Sequence, residues 1–301
     1  MSFGGIETGG TKWICAVGTG PSDLEEIVTI PTLLPEPTVD AAATFFRRFP
    51  DLEGVGIGTF GPVDLDRCSV HFGTITTTPK PGWRDTPLLS MVSERLDVPV
   101  AIDTDVNAAA IGEHRWGAGR GLDTFCYVTV GTGIGGGMIV HGEPTHGLLH
   151  PELGHMRIPH DWSRDPFAGM CPYHGDCFEG LASGRALQER YGMPAREIDD
   201  PAAWHLEAEY IALGLLNVVS VLSPQRIVLG GGVAQHGSLL PRVRERLREL
   251  AGGYFAAPEL DGRLASFVVP PTLGDRAGVL GALELARVAV EPEPAQPAQG
   301  S

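Results

Sequence analysis

Seven positions of this chain, 171–177, hold two cysteines and a histidine: Cys171, His174 and Cys177. A further histidine, His155, precedes Cys171 with fifteen residues between them. Two thiolates and two imidazoles form a donor set that suits Zn²⁺, and the two thiolates balance its charge. The plain alternative is two surface histidines beside two inert cysteines. Pro159, Pro166 and Pro172 make the stretch a poor helix, so a metal would have a loop to fix. Glu152 and Glu179 flank the four residues closely. They either accept hydrogen bonds from a ligand or are solvated loop charges.

A second kind of chemistry lies in "AIDTDVNAAA", residues 101–110, where two carboxylates stand at a strand end entering a helix. Asp105, at the helix start, is either an N-cap or a base facing a ligand, and Asp103 has the same two readings. A third lies in the glycine runs. "ETGGTK" (7–12) offers the backbone N–H groups of Gly9, Gly10 and Thr11, one hydroxyl and the Lys12 ammonium, a concave set suited to phosphate oxygens. "GTGIGGG" (131–137) repeats the arrangement with Thr132 and Gly133, and "LGGGV" (229–233) adds a third turn with Gly231 and Gly232. Neither the Walker spacing nor the Rossmann fingerprint is present. Three glycine turns at strand ends point to a nucleotide site.

These groups need a frame. The 301 residues suffice for one large domain or two ordinary ones, with 43% hydrophobic and 20% charged residues. The net charge of −15 argues against nucleic acid or an anionic membrane as the main partner. No run of 18 apolar residues and no signal-peptide pattern are read, so a cytoplasmic protein is expected. Five cysteines in such a chain favour free or metal-bound thiols over a disulfide framework.

The pattern predicts a strand–glycine turn–strand at the N-terminus, a helix over 39–49, a buried strand over 52–64, and an acid-capped helix over 85–97. A strand near 98–105 and a glycine-stopped helix follow. The order then restarts with a second glycine hairpin over 123–142. Helices come next near 180–190 and 203–222, then a strand at 226–232, a basic helix over 239–250, a strand at 266–269 and a last helix over 275–289. Two halves that begin alike imply an α/β protein of two lobes. The N-terminal lobe is expected over 1–115, joined by the helix at 275–290, and the C-terminal lobe over 116–274. A disordered Pro-rich tail is expected over 291–301.

The combination of "GGIETGGTK", "GIGTFGPVD", "TTPKPGW", "DTDVNAAAIGE", "TVGTGIGGG", "HPELGHM", "CPYHGDCFEGLASG" and "VLGGGV" resembles the ROK family (repressor, open reading frame, kinase), and most closely its bacterial fructokinase group. The resemblance runs from residue 4 to about 233. It implies an actin/hexokinase-like, ribonuclease H-like fold of two α/β lobes with ATP in the cleft, Mg²⁺ as catalytic cofactor, structural Zn²⁺, and usually a homodimer. It also implies Asp105 as general base, with Gly9, Gly10, Thr11, Lys12, Thr132 and Gly133 at the phosphates and Gly231 and Gly232 near the adenosine part. Thr104, Asp105, Glu152, His155 and Glu179 would contact the sugar. The metal ligands would be His155, Cys171, His174 and Cys177.

The departures are specific. Glu7 stands where many members have Asp, Thr104 where many have a sugar-binding Asn, and His174 where many have a third metal-binding Cys. Glu7 and His174 are shared by the fructokinase group, which favours fructose as acceptor over glucose or mannose. Two alternatives lie in other classes: a repressor, which carries a DNA-binding domain before the sugar lobe and has no evident place here, and a noncatalytic sugar sensor, disfavoured by Asp105 and the two phosphate hairpins.

Overall fold

The computed structural model describes residues 2–291; the expected tail lies, from 292 onward, outside the described residues. Contacts divide the chain into two compact units. One comprises residues up to Arg115 together with 147–149 and the segment from Arg276; the other comprises Trp116–His146 and His150–Asp275.

The first unit is built on a five-stranded sheet. Its strands are β1 (Ser2–Thr8), β2 (Lys12–Gly20), β3 (Asp23–Pro31), β4 (Leu52–Thr59) and β5 (Val100–Thr104), in the order β3-β2-β1-β4-β5. β1, β2 and β3 form an antiparallel meander, whereas β4 runs parallel to β1 and β5 parallel to β4. Parallel neighbours need a crossover, which α1 (Pro35–Phe46) begins between β3 and β4 and α2 (Leu88–Ser93) provides between β4 and β5. α3 (Asp105–Trp116) then leaves the end of β5. The core gathers Ile6, Trp13, Val17, Val39, Phe46, Ile57 and Trp83.

The sequence pattern misplaces α2. Its expected acidic cap, Asp85, has φ 55° and caps nothing. Thr86 instead exchanges both backbone hydrogen bonds with Ile75, at 2.8 and 3.1 Å, and Pro87 follows. The helix therefore starts three residues late and ends at Ser93, well short of 97.

The second unit repeats the topology. β6 (Phe125–Val130), β7 (Ile134–Val140) and β8 (Glu143–Pro144) form the antiparallel part. The helices α4 (Phe178–Ala182), α5 (Gly184–Tyr191) and α6 (Pro201–Leu222) lead to β9 (Ile227–Gly230), parallel to β6. Beyond α7 (Leu239–Ala251), α8 (Pro258–Asp261) and α9 (Leu264–Phe267) comes β10 (Val268–Val269), parallel to β9. The sheet order β10-β9-β6-β7-β8 is the first order read from the other edge. The strand expected over 266–269 is only two residues long because α9 occupies its first half.

α6 spans 22 residues and includes an 18-residue stretch of mean hydropathy 1.3, so among the described residues one helix is long and apolar enough by length and composition to cross a membrane. Ala208, Ile211, Ala212 and Leu215 on it are nonetheless buried in the core of the second unit, as expected of a core helix.

The chain closes with α10 (Ala277–Val290), which belongs to the first unit and packs on β1, β2 and β4. Its approach to α3 is so close that a Cβ on Gly281 would stand 1.6 Å from the Ala108 carbonyl oxygen. Only glycine permits that spacing. The contact fixes the helix that begins with Asp105.

Candidate active site

β1, β4 and β5 are parallel and end together, at Thr8, Thr59 and Thr104, with Thr59 paired to Thr104. The turn at Gly9–Thr11 follows β1 and Asp105 follows β5, so both emerge from the carboxyl end of the same sheet. One strand lies between theirs, which separates them by about 10 Å. Ligands of α/β sheets bind at this end.

The N-terminal turn is tied back by its carbonyls. Lys12 O accepts from Gly9 N at 2.9 Å, Gly9 O from Thr32 Oγ1 at 2.7 Å, and Thr11 O from Thr32 N at 3.0 Å. Gly10 O accepts from the Lys80 ammonium. Among the described residues no hydrogen bond takes up the Gly10 or Thr11 N–H. Carbonyls engaged and amides open is the arrangement an anion needs.

At the other strand end, three polar side chains divide the work. Thr104, buried, accepts from Asn107 N at 3.1 Å and so caps α3. Asp103, 3% exposed, takes Thr104 N at 2.7 Å and Asn107 Nδ2 at 2.8 Å on one oxygen. Among the described residues Asp105 is held by backbone amides and by no other side chain, with Val106 N donating to it at 2.9 Å. The cap reading of both aspartates gives way to Thr104, a residue the resemblance had placed at the sugar. Burial pushes the Asp105 carboxyl up to about 6, against backbone hydrogen bonds that lower it.

In the second unit β6 and β9 end side by side, Thr129 paired with Gly230. Their turns are interlocked. Gly131 N donates to Gly133 O at 2.9 Å, Gly184 N to Gly131 O at 2.7 Å, and Val233 N to Val130 O at 2.9 Å. Gly231 has φ +93°, and a Cβ there would lie 2.4 Å from the Val130 carbonyl oxygen. Thr132 is exposed at the tip, and a Cβ on Gly232 would meet nothing within 4 Å. Glu179 Oε2 accepts from Ile134 N at 2.9 Å, beside Gly133. It is thus a brace of the hairpin, a task its sequence neighbours gave no sign of. Glu152 is exposed, with the His150 ring 3.5 Å away.

His155, Cys171, His174 and Cys177 converge, their four ligand atoms all within 4.8 Å of one another. The two Nδ1 atoms are 3.3 Å apart, and the Sγ–Nδ1 separations from Cys171 to both histidines and from Cys177 to His155 are 3.7 Å. A tetrahedral zinc with ordinary bond lengths spaces N from N by about 3.3 Å and S from N by about 3.6 Å. The donor set and its spacing fit that ion. Burial and the neighbouring Cys171 sulfur push the Cys177 thiol up to about 11, a cost that a divalent cation would reverse. Both histidines turn Nδ1 inward, which leaves His155 Nε2 for another partner.

Behind the loop lies a buried network the sequence did not announce. Arg190 donates to both oxygens of Asp165, at 3.2 and 3.0 Å, and Tyr210 OH donates to it at 2.7 Å. His160 lies 3.3 Å from Asp176, which also pairs with Arg157.

The ROK family profile matches residues 3–289. This chain belongs to the ROK family. It is 43% identical over 297 residues to a fructokinase of Zymomonas mobilis, covering 95% of this chain and 97% of that one. Among solved structures, the ROK hexokinase of Thermus thermophilus aligns with TM-score 0.78 at 31% identity, covering 97% of this chain and 99% of that one. A ROK family glucokinase from Streptomyces griseus, in complex with glucose and AMPPNP, aligns with TM-score 0.75 at 30% identity, covering 95% of this chain and 99% of that one. The fold is the two-fold α/β repeat of that actin/hexokinase-like class.

Proposed function

We propose that this ROK protein is an ATP-dependent hexose kinase whose acceptor is D-fructose, with ADP and fructose 6-phosphate as products. The observation that carries the reading is the carboxyl end of the first sheet, where a desolvated carboxylate and an amide-open glycine turn emerge together. The greater identity to a fructokinase than to a glucokinase supports fructose as acceptor.

Asp105 accepts the proton of the attacking sugar hydroxyl, and its raised pKa suits it to do so near neutrality. The open amides of Gly10 and Thr11, with Lys12, hold terminal phosphate oxygens, and Thr132 and Gly133 are further residues proposed to bind the nucleotide. Gly231 and Gly232 border the adenosine part. Catalysis of this kind is chiefly positioning and charge stabilisation. Mg²⁺ bound with ATP would supply charge neutralisation at the phosphates. His155, Cys171, His174 and Cys177 would hold one Zn²⁺, whose task with four protein donors would be structural. His155 then offers Nε2 to the sugar, with Glu152 and Glu179 as further hydroxyl acceptors and Thr104 beside the base. A cytoplasmic homodimer completes the proposal, its mass measurable by light scattering.

A coupled ADP-release assay over fructose, mannose and glucose tests it. The highest kcat/KM is expected with fructose. Equal or better turnover of glucose would replace fructose as the acceptor, and hexose-independent ATP turnover would remove the kinase reading.

A further inference from the structure

Only two of the chain's 22 basic Lys and Arg residues are lysines, Lys12 and Lys80. Both stand at the turn that follows β1. Lys12 ends the turn, and Lys80, in "TTPKPGW", donates its ammonium to Gly10 O, seventy positions away. The loop that carries Lys80 is well anchored. Trp83 is fully buried, its ring centroid 5.6 Å from Trp13 and 5.5 Å from Phe60, and its indole N–H donates to Leu33 O at 2.9 Å. Thr78, also buried, accepts from Lys80 N at 3.3 Å. Among the described residues no carboxylate pairs with either lysine, although the chain carries fifteen more acidic than basic residues.

Resting on the kinase reading above, we propose that Lys80 is a phosphate-binding catalytic residue, whose ammonium pins the turn through Gly10 and contacts the terminal phosphate of the nucleotide. An ammonium has three N–H donors. One is spent on the Gly10 carbonyl, and two remain for anionic oxygens next to the open amides of Gly10 and Thr11. A compact, strongly hydrated point charge suits this double task better than a planar guanidinium, in keeping with lysine at this position in a chain that otherwise uses arginine. As negative charge accumulates on the transferred group, a fixed cation there stabilises it.

The test compares Lys80→Met, Lys80→Gln and Lys80→Arg with the wild-type chain. Lys80→Met should lower kcat/KM for ATP by about 100-fold and weaken AMPPNP binding about 10-fold, with AMP binding and Tm unchanged. Lys80→Gln keeps a donor for Gly10 O and lacks the charge; it should behave like the Met variant. Lys80→Arg should recover part of the loss. A glutamine variant as active as wild type would reduce Lys80 to a pin for the turn and overturn the proposal. Protection of Lys80 from an amine-reactive label by AMPPNP, read by peptide mass spectrometry, gives a measure independent of turnover, and lack of protection also overturns it. Failure of the wild-type chain to phosphorylate any hexose would strike the kinase reading instead, while the binding and labelling comparison still reports on Lys80.

Discussion

The two glycine hairpins are the same device with opposite braces. The turn between β1 and β2 is held by a cation on a carbonyl, Lys80 on Gly10 O, and keeps the Gly10 and Thr11 amides open. The turn between β6 and β7 is held by an anion on an amide, Glu179 on Ile134 N, and by backbone bonds within and to the turn. A duplicated frame thus yields one positive and one negative turn. The first suits the transferring phosphate. The second keeps a carboxylate beside its glycines, which suits a neutral, hydroxyl-bearing ligand or a metal–nucleotide complex better than a bare phosphate.

The sharpest way to break this contrast is to remove the base that shares a sheet end with the positive turn. Asp105→Asn should lower kcat by about 10²- to 10⁴-fold with AMPPNP affinity retained. In the wild type, kcat/KM should fall as pH drops through about 6, where the carboxylate takes up its proton. The linkage has a definite sign. A folded pKa raised from 3.8 to about 6 means that ionised Asp105 costs stability, by up to about 3 kcal/mol above pH 6, and costs nothing below about pH 4. Thermal melts should therefore find the Asn variant more stable than wild type at pH 8 and equal at pH 4. A variant that keeps a tenth of wild-type kcat would move the base elsewhere.

Much of this was legible from local pattern. Glycine runs at strand ends marked all three turns because close backbone approach, as at Gly9 and Gly231, leaves no room for a side chain, and the spacing of Cys171, His174 and Cys177 marked the Cys/His cluster. What stayed hidden depends on partners distant in sequence. Asp85 looks like a cap, yet Thr86 is claimed by Ile75. Asp103 and Asp105 look alike until Thr104 is seen to cap the helix. Lys80 carries no local signal, since its partner Gly10 lies seventy positions away in the turn after β1, and Glu179 reads as a loop charge until the hairpin closes on it.

The second region is tested through the metal. The purified protein should carry close to one zinc per chain. Cys177→Ala should lose it, with a stability loss of about 3 kcal/mol, which lowers Tm by roughly 6–12 °C. The KM for hexose should rise and ATP affinity should hold, because His155 is the one residue proposed both to bind metal and to touch sugar. A chain free of zinc and fully active after chelation would leave the four residues a loop.

Glu179→Gln separates brace from ligand contact. The amide oxygen can still accept from Ile134 N, so the hairpin should stand and AMPPNP affinity should not change. Loss of a charged acceptor for a hydroxyl should raise the hexose KM by about 10-fold or somewhat more. Wild-type kinetics in this variant would confine Glu179 to holding the turn.

The smallest effect concerns how Glu7 is held in the positive region. Glu7 is the last but one residue of β1, and its carboxylate lies against the first turn of α10. A Cβ on Gly278 would stand 2.5 Å from Glu7 Cδ and 2.8 Å from each carboxylate oxygen. The extra methylene of glutamate over aspartate is thus accommodated by the missing side chain of Gly278. Gly278→Ala must displace the carboxylate, and because the clash is with the end of a flexible side chain, Tm should barely change. Displacement beside the phosphate turn should cost about 3- to 10-fold in kcat/KM for ATP, well short of the loss for a misplaced reacting group. Glu7→Asp shortens the side chain and removes the clash, so the Gly278→Ala/Glu7→Asp double variant should match Glu7→Asp alone. If the two substitutions are instead additive, the alanine acts through the packing of α10 and not through Glu7.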